Sequence, residues 1–212
     1  MQTSCALAVA VFAGVALAAP AGEIVEQVLA LVNGVPVLAS DAQLAEIAGL
    51  VPPAAGESEA GRRRTVIEAL VALELRWQDL QAAGVVLRVR ADTERAWATV
   101  VERAGGPETV AARLAAAGLE EPLLRELVRR AAVVEAYVAG RFGPFVHPTS
   151  EEIERAYREE LLPVLPASET PPDLSAVRAR LEAVLRERKL VAALEQWTRE
   201  LEARGEVVRY LR

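Results

Sequence analysis

Residues Val28 to Leu44 read VLALVNGVPVLASDAQL, and the rest of the chain can be organised around this stretch. Val28 to Val32 and Val35 to Leu38 are β-rich runs separated only by Asn33 and Gly34. Those two residues tolerate the positive φ values of a type I′ turn, so the segment predicts a tight hairpin, with an extended pair lacking regular pairing as the alternative. Pro36 has no N–H to give to a ladder, which places its strand at a sheet edge. Ser40 with Gln43 three residues later is a capping-box pattern, and it predicts a helix through about Leu50, stopped by Val51-Pro52-Pro53. At the other end of the chain, Val207 to Leu211 (VVRYL) follows a helix-stopping Gly205. The hairpin is the only unpaired strand material for it, so both are expected in one small sheet, with Leu29 and Val208 in dry contacts.

Between these ends the apolar pattern is helical. After a flexible loop from Ala54 to Gly61, the residues Val66, Ile67, Leu70, Leu73, Leu75 and Leu80 give one wide apolar face that ends at Gly84. Val85 to Val89 reads as a short extended bridge. Asp92 caps a helix carrying Trp97, Val100 and Val101, closed by Gly105-Gly106. Pro107 and Pro122 each sit just inside a helix start, where the missing N–H costs nothing. The second of these helices runs to about Arg141 and is expected to bury Leu123, Leu124, Leu127, Val128, Val133 or Val134, and Tyr137. Thr149 with Glu152 is another capping box, ahead of Ile153 and Tyr157. Leu161 to Pro172 is Pro-rich and reads as a linker or crossover. Asp173 then starts the longest helix, to about Ala203, with Val177, Leu181, Val184, Leu185, Val191, Leu194 and Leu201 at helical spacing.

The composition agrees with a mostly α fold. Of 212 residues, 52% are hydrophobic, 25% charged and only 4% aromatic, with enough apolar material for a core and an Ala, Leu, Glu and Arg bias that favours helices. A net charge of −6 argues against nucleic acid as a partner, because phosphates need a basic face. Lys189 is the only lysine, and neither P-loop nor Schiff-base chemistry is visible. The uncharged, apolar Ala6 to Ala19 ends in small residues and is shorter than the ~20 residues of a membrane span, which predicts a signal peptide over residues 1–21. No Lys or Arg precedes the run, so a misassigned start or an uncleaved anchor remains the alternative; membrane attachment is expected only through such an uncleaved leader. Cys5 lies before the run, so the mature chain is expected to carry no disulfide, thiol nucleophile or cysteine metal site. An exported, acidic, helix-rich chain without cysteine fits the periplasm.

The Val28 to Leu44 segment, the helical bundle, the linker, the long helix and the terminal strand together resemble the SurA N-terminal chaperone family, the SurA, PpiD and PrsA type. The likeness spans nearly all of the expected mature chain, and the Val-Asn-Gly hairpin with its Ser-Asp helix start is its specific part. It implies a SurA-N-like helical bundle with a small sheet from the N-terminal hairpin and the C-terminal strand. In that family Thr-x-x-Glu-Ile followed by Tyr, here Thr149, Glu152, Ile153 and Tyr157, leads into a parvulin prolyl-isomerase domain. Only Leu161 to Pro172 stand in that place, and His147 is the sole histidine where a parvulin carries paired ones. The expected organisation is a leader over residues 1–21, a chaperone-like domain over residues 22–160, a linker over residues 161–172, and a helix and strand over residues 173–212 that complete the same domain.

Catalytic chemistry finds little support. His147 precedes Pro148 in a helix-leading loop, one histidine with scattered glutamates has no metal-ligand spacing, and no cofactor is implied. Adjacent carboxylates at Glu120-Glu121, Glu151-Glu152 and Glu159-Glu160 diverge by about 100° on a helix, and the first two pairs suit helix starts, where the macrodipole favours negative charge. Arg62-Arg63-Arg64 reads as a solvated helix start or a contact for acidic lipid or a partner. Trp77, Trp97, Tyr137, Tyr157 and Trp197 are candidates to line a groove for client polypeptides, or else to serve as core packing. The expected function is a non-enzymatic, ATP-independent holdase that shelters unfolded envelope or outer-membrane proteins in an apolar crevice. The alternatives are a dedicated partner subunit of an envelope assembly machinery and a prolyl isomerase of the parvulin group.

Overall fold

The computed structural model describes residues 26–166 and 171–210. The expected leader over residues 1–21, and Leu211 of the expected terminal strand, lie outside the described residues. The fold is mostly α, with a small antiparallel sheet. Strands β1 (Val28–Val32) and β2 (Val35–Leu38) form the hairpin, and β3 (Val207–Arg209) returns to pair with β1, giving the order β2-β1-β3. Asn33 and Gly34 take φ values of 51° and 82°, as the turn requires. Pro36 stands on the edge strand. The register slips between Val28 and Ala30, a bulge that lets Leu29 and Ala30 both be buried where strict alternation would bury one. Val208 lies opposite Leu31 but is 38% exposed, so the dry contact expected for it is absent; Leu29, at 1%, is in the core.

Seven α-helices fill the described residues between the strands: α1 (Ala39–Ala48), α2 (Glu59–Ala82), α3 (Thr93–Ala104), α4 (Pro107–Ala117), α5 (Glu121–Phe142), α6 (Ser150–Ala156) and α7 (Leu174–Arg204). The start of α1 departs from the sequence pattern. Its N-cap is Leu38, whose N–H donates to Asp41 Oδ2 at 2.8 Å, so Asp41 supplies the cap that Ser40 and Gln43 were expected to form. Burial raises the pKa of the Asp41 carboxyl, and the bond from Leu38 opposes that only in part. Ser58 caps α2 ahead of the expected start, and Val86–Arg88 forms one 3₁₀ turn where an extended bridge was expected. The Thr149–Glu152 capping box forms as read, in both directions.

Two apolar cores result. In the larger, β1, α2, the second half of α5 and the end of α7 meet around Leu29, Ile67, Leu80, Val134 and Trp197. In the smaller, α1, α3, α4 and the first half of α5 meet around Leu44, Val110 and Leu124. Leu123, expected inside, faces out at 51% exposure. The sheet is tied to the helices by Asn33, which does more than turn the chain. Its backbone N–H donates to Glu206 O, its Oδ1 accepts from Glu206 N, and its Nδ2 donates to Gln78 Oε1, each at 2.8 Å. A Cβ on Gly205 would lie 2.8 Å from Asn33 Oδ1, so glycine is needed there for close approach as well as for ending α7.

The first half of α7 stands apart from both cores. It forms an arm with α6, where Lys189 pairs with Glu152 at 2.9 Å, Arg188 with Glu160 at 2.6 Å, and Arg178 donates to Ser150 Oγ at 2.9 Å. Along the chain between them, Leu162–Val164 forms a short 3₁₀ turn.

Candidate functional site

Where α5 crosses between the two cores it carries Ala131, Ala132, Glu135, Ala136 and Ala139, of which Ala131 packs against the larger core and the others belong to neither. Their small side chains leave the space between the neighbouring helices unfilled, and an open trough follows. One lobe, of about 590 Å³, lies between the end of α1, α3 and α5. The other, of about 490 Å³, lies between α2, α5 and α7, with Ala72, Leu73, Leu190, Val191 and Leu194 in its walls. Leu50, Ala131, Glu135 and Ala139 border both lobes, so the two adjoin along α5.

Charged groups punctuate this apolar lining. In the first lobe Arg103 donates to Gly49 O at 3.1 Å and fixes the end of α1. Beyond it, Arg62 is bidentate to Glu46, both bonds at 2.7 Å, and donates to the carbonyls of Val51 and Pro52 at 2.7 and 3.1 Å. The Leu50 wall is thereby held in place by Arg62, while Arg63 donates to Gln27 Oε1 at 3.1 Å. In the second lobe stand Arg76, Glu135 and Glu187.

The aromatic candidates do not share a groove. Trp77 and Trp197 are core residues at 4% and 5% exposure, with the Arg129 guanidinium 4.9 Å above Trp77 and Trp197 donating from Nε1 to Asp79. Tyr137 packs on Trp197 at 5.6 Å between ring centroids. Trp97 lies under Arg125, 4.0 Å from the guanidinium, and packs against the smaller core. Tyr157 donates from its hydroxyl to Pro172 O at 2.7 Å, joining α6 to the segment ahead of α7. None of them lines either lobe. The trough is lined instead by the small residues Ala131, Ala132, Ala136 and Ala139 of α5, with Val134 and Val138 in the second lobe, and this small-residue spacing is the trace it leaves in the sequence.

The other candidates serve the scaffold. Glu121 pairs with Arg125, Glu151 with Arg155 and Glu160 with Arg188. Glu126 accepts from Arg129 and Arg130, and the bond from Arg129 above all lowers its pKa to about 2. His147 Nδ1 lies 3.2 Å from Arg186 Nη2 on the arm. Among the described residues no cluster of three His, Cys, Asp or Glu side chains is placed to hold a metal, and no helix is long and apolar enough to cross a membrane.

Comparison of the whole sequence with models of known protein families, and with characterised proteins, finds no match in either.

Proposed function

We propose that this protein is an exported, ATP-independent holdase that captures extended segments of unfolded envelope or outer-membrane proteins in the trough along α5, in the manner of the SurA N-terminal family it resembles. The observation that carries the reading is that the two lobes adjoin along α5, sharing Leu50, Ala131, Glu135 and Ala139, and together form a mainly apolar trough open to solvent and lined by residues from α1, α2, α3, α5 and α7. An alanine floor suits this work. It presents backbone-close apolar surface without bulky projections, so it accepts varied side chains instead of selecting one.

The energetics favour reversible capture. Burying one Val- or Leu-sized side chain contributes about 1.5–3 kcal/mol, and ordering the bound segment offsets much of the total. Such binding needs no nucleotide to be released. The acidic balance of the chain, −6, keeps copies apart while the trough stands empty.

Light scattering of a diluted, aggregating outer-membrane protein tests the reading. Stoichiometric native protein is expected to suppress the signal, and Ala139→Arg with Val191→Asp, both on exposed positions of the channel, to lose suppression while keeping the native unfolding midpoint. Absence of suppression by the native chain would contradict it. A fixed-partner role would instead give one strong binder on co-purification and no protection of unrelated clients, and substantial, specific isomerisation of a prolyl peptide would overturn the non-enzymatic reading.

A further inference from the structure

Arg76, in the wall of the α2, α5 and α7 lobe, is a half-buried cation without a counter-ion among the described residues. Its Nε and Nη2 donate to Thr198 Oγ1 at 2.8 and 2.7 Å. Thr198 in turn donates to Leu194 O at 2.7 Å, so its hydroxyl meets the guanidinium purely as a neutral acceptor. The acids nearest along α2 are committed elsewhere: Glu68 to Arg209, Glu74 to Arg130, and Asp79 to Arg204. Burial lowers the Arg76 pKa. Among the described residues Nη1 has no acceptor, and a guanidinium with an open edge matches the two oxygens of a carboxylate.

We propose that Arg76 anchors the terminal carboxylate of an apolar polypeptide segment seated in this lobe, against Ala72, Leu73, Val191 and Leu194. The inference rests on the capture of extended polypeptide proposed above and adds a polarity to it: the chain end lies at Arg76 and the preceding residues run along the channel. A volume of about 490 Å³ is within the roughly 300–1,000 Å³ of ligand pockets. Charge decides which ends fit. Glu135 and Glu187 border the same lobe and leave it one negative charge in excess of Arg76, so a carboxylate fits only in direct contact with the guanidinium and an acidic tail is excluded.

Fluorescence anisotropy on the full chain tests this with a fluorescein-labelled GSALVL hexapeptide, prepared with a free carboxylate and with a terminal amide. The acid is expected to bind about tenfold more tightly than the amide, since a charge-assisted bond pair is lost in the latter. Arg76→Met should abolish that difference, and Arg76→Lys should keep part of it. Because the acid-to-amide ratio is measured on the native chain, the test survives a poorly folding variant. Equal affinities, a difference that persists in Arg76→Met, or displacement of the peptide by decanoate at lower concentration than by unlabelled peptide would overturn the proposal. Equal affinities together with suppressed aggregation would refute the anchor and leave the holdase reading standing; a tenfold preference without suppression would do the reverse.

Discussion

The two halves of α7 have similar sequences and different physics. The second half, from Leu190 onward, lays Trp197 and Leu201 into the larger core, where both are less than a tenth exposed. The first half carries Val177, Leu181, Val184 and Leu185 at the same helical spacing, yet none of them is fully buried and Val184 is 42% exposed. There the helix is held to α6 by Lys189–Glu152 and Arg178–Ser150, and to the turn after α6 by Arg188–Glu160, contacts that are mostly solvated. An apolar seam therefore does not by itself fix how deeply a helix is buried. The base is built by burial and the arm by exchangeable polar contacts.

The contrast is broken most severely by charging the base. Leu29→Asp should cost about 4 kcal/mol or more in urea-induced unfolding, because an unpaired charge enters the core, whereas Val208→Asp on the same sheet should cost less than about 1 kcal/mol. Near-equal costs would mean that the exposure of Val208 is misplaced. Next in size, Trp197→Ala should cost about 3–5 kcal/mol and Leu181→Ala about 1 kcal/mol or less, since the second side chain leaves little cavity behind. If the two were alike, the arm would belong to the core.

Smaller effects should stay local to the arm. Lys189→Met removes the only lysine and its pair with Glu152, and should raise amide exchange across α6 and Leu174 to Leu190 while leaving the global midpoint within the error of measurement. The arm should also respond to acid. The bond from Lys189, first, holds the Glu152 pKa below its ordinary 4.5. A depressed carboxylate pKa gives a contribution that is present above about 4.5 and disappears as pH falls below it. Arm protection in the native chain should therefore decline in that window, and in Glu152→Gln it should start low and change less with pH. An arm indifferent to both substitutions would place its stability in the apolar contacts instead.

How much of this was legible beforehand follows from which forces are local. Asn33-Gly34 and Pro36 specify the hairpin and its edge through backbone geometry alone, and the Thr149–Glu152 box reads correctly because both partners lie within one turn. The cap of α1 did not: Asp41 wins over Ser40 because the strand arrives in a direction that brings Leu38 N–H to the carboxylate. The pairing of β3 with β1 was legible by elimination among few strands. The trough was not, because it depends on what α1, α3 and α7 leave uncovered on α5, which no single helix records. Arg76 has no signature at all in sequence; its lack of an acid emerges only once Glu68, Glu74 and Asp79 are seen to face other arginines.

The central claim, that loose polypeptide is held along α5, is tested most directly by photo-crosslinking to an unfolded outer-membrane client from single benzoylphenylalanine substitutions at Val191 and at Val208. Both positions are exposed, 44% and 38%, so access alone does not separate them. The account predicts client adducts from position 191 and few from position 208; adducts of equal yield from both, or none from 191, would contradict it.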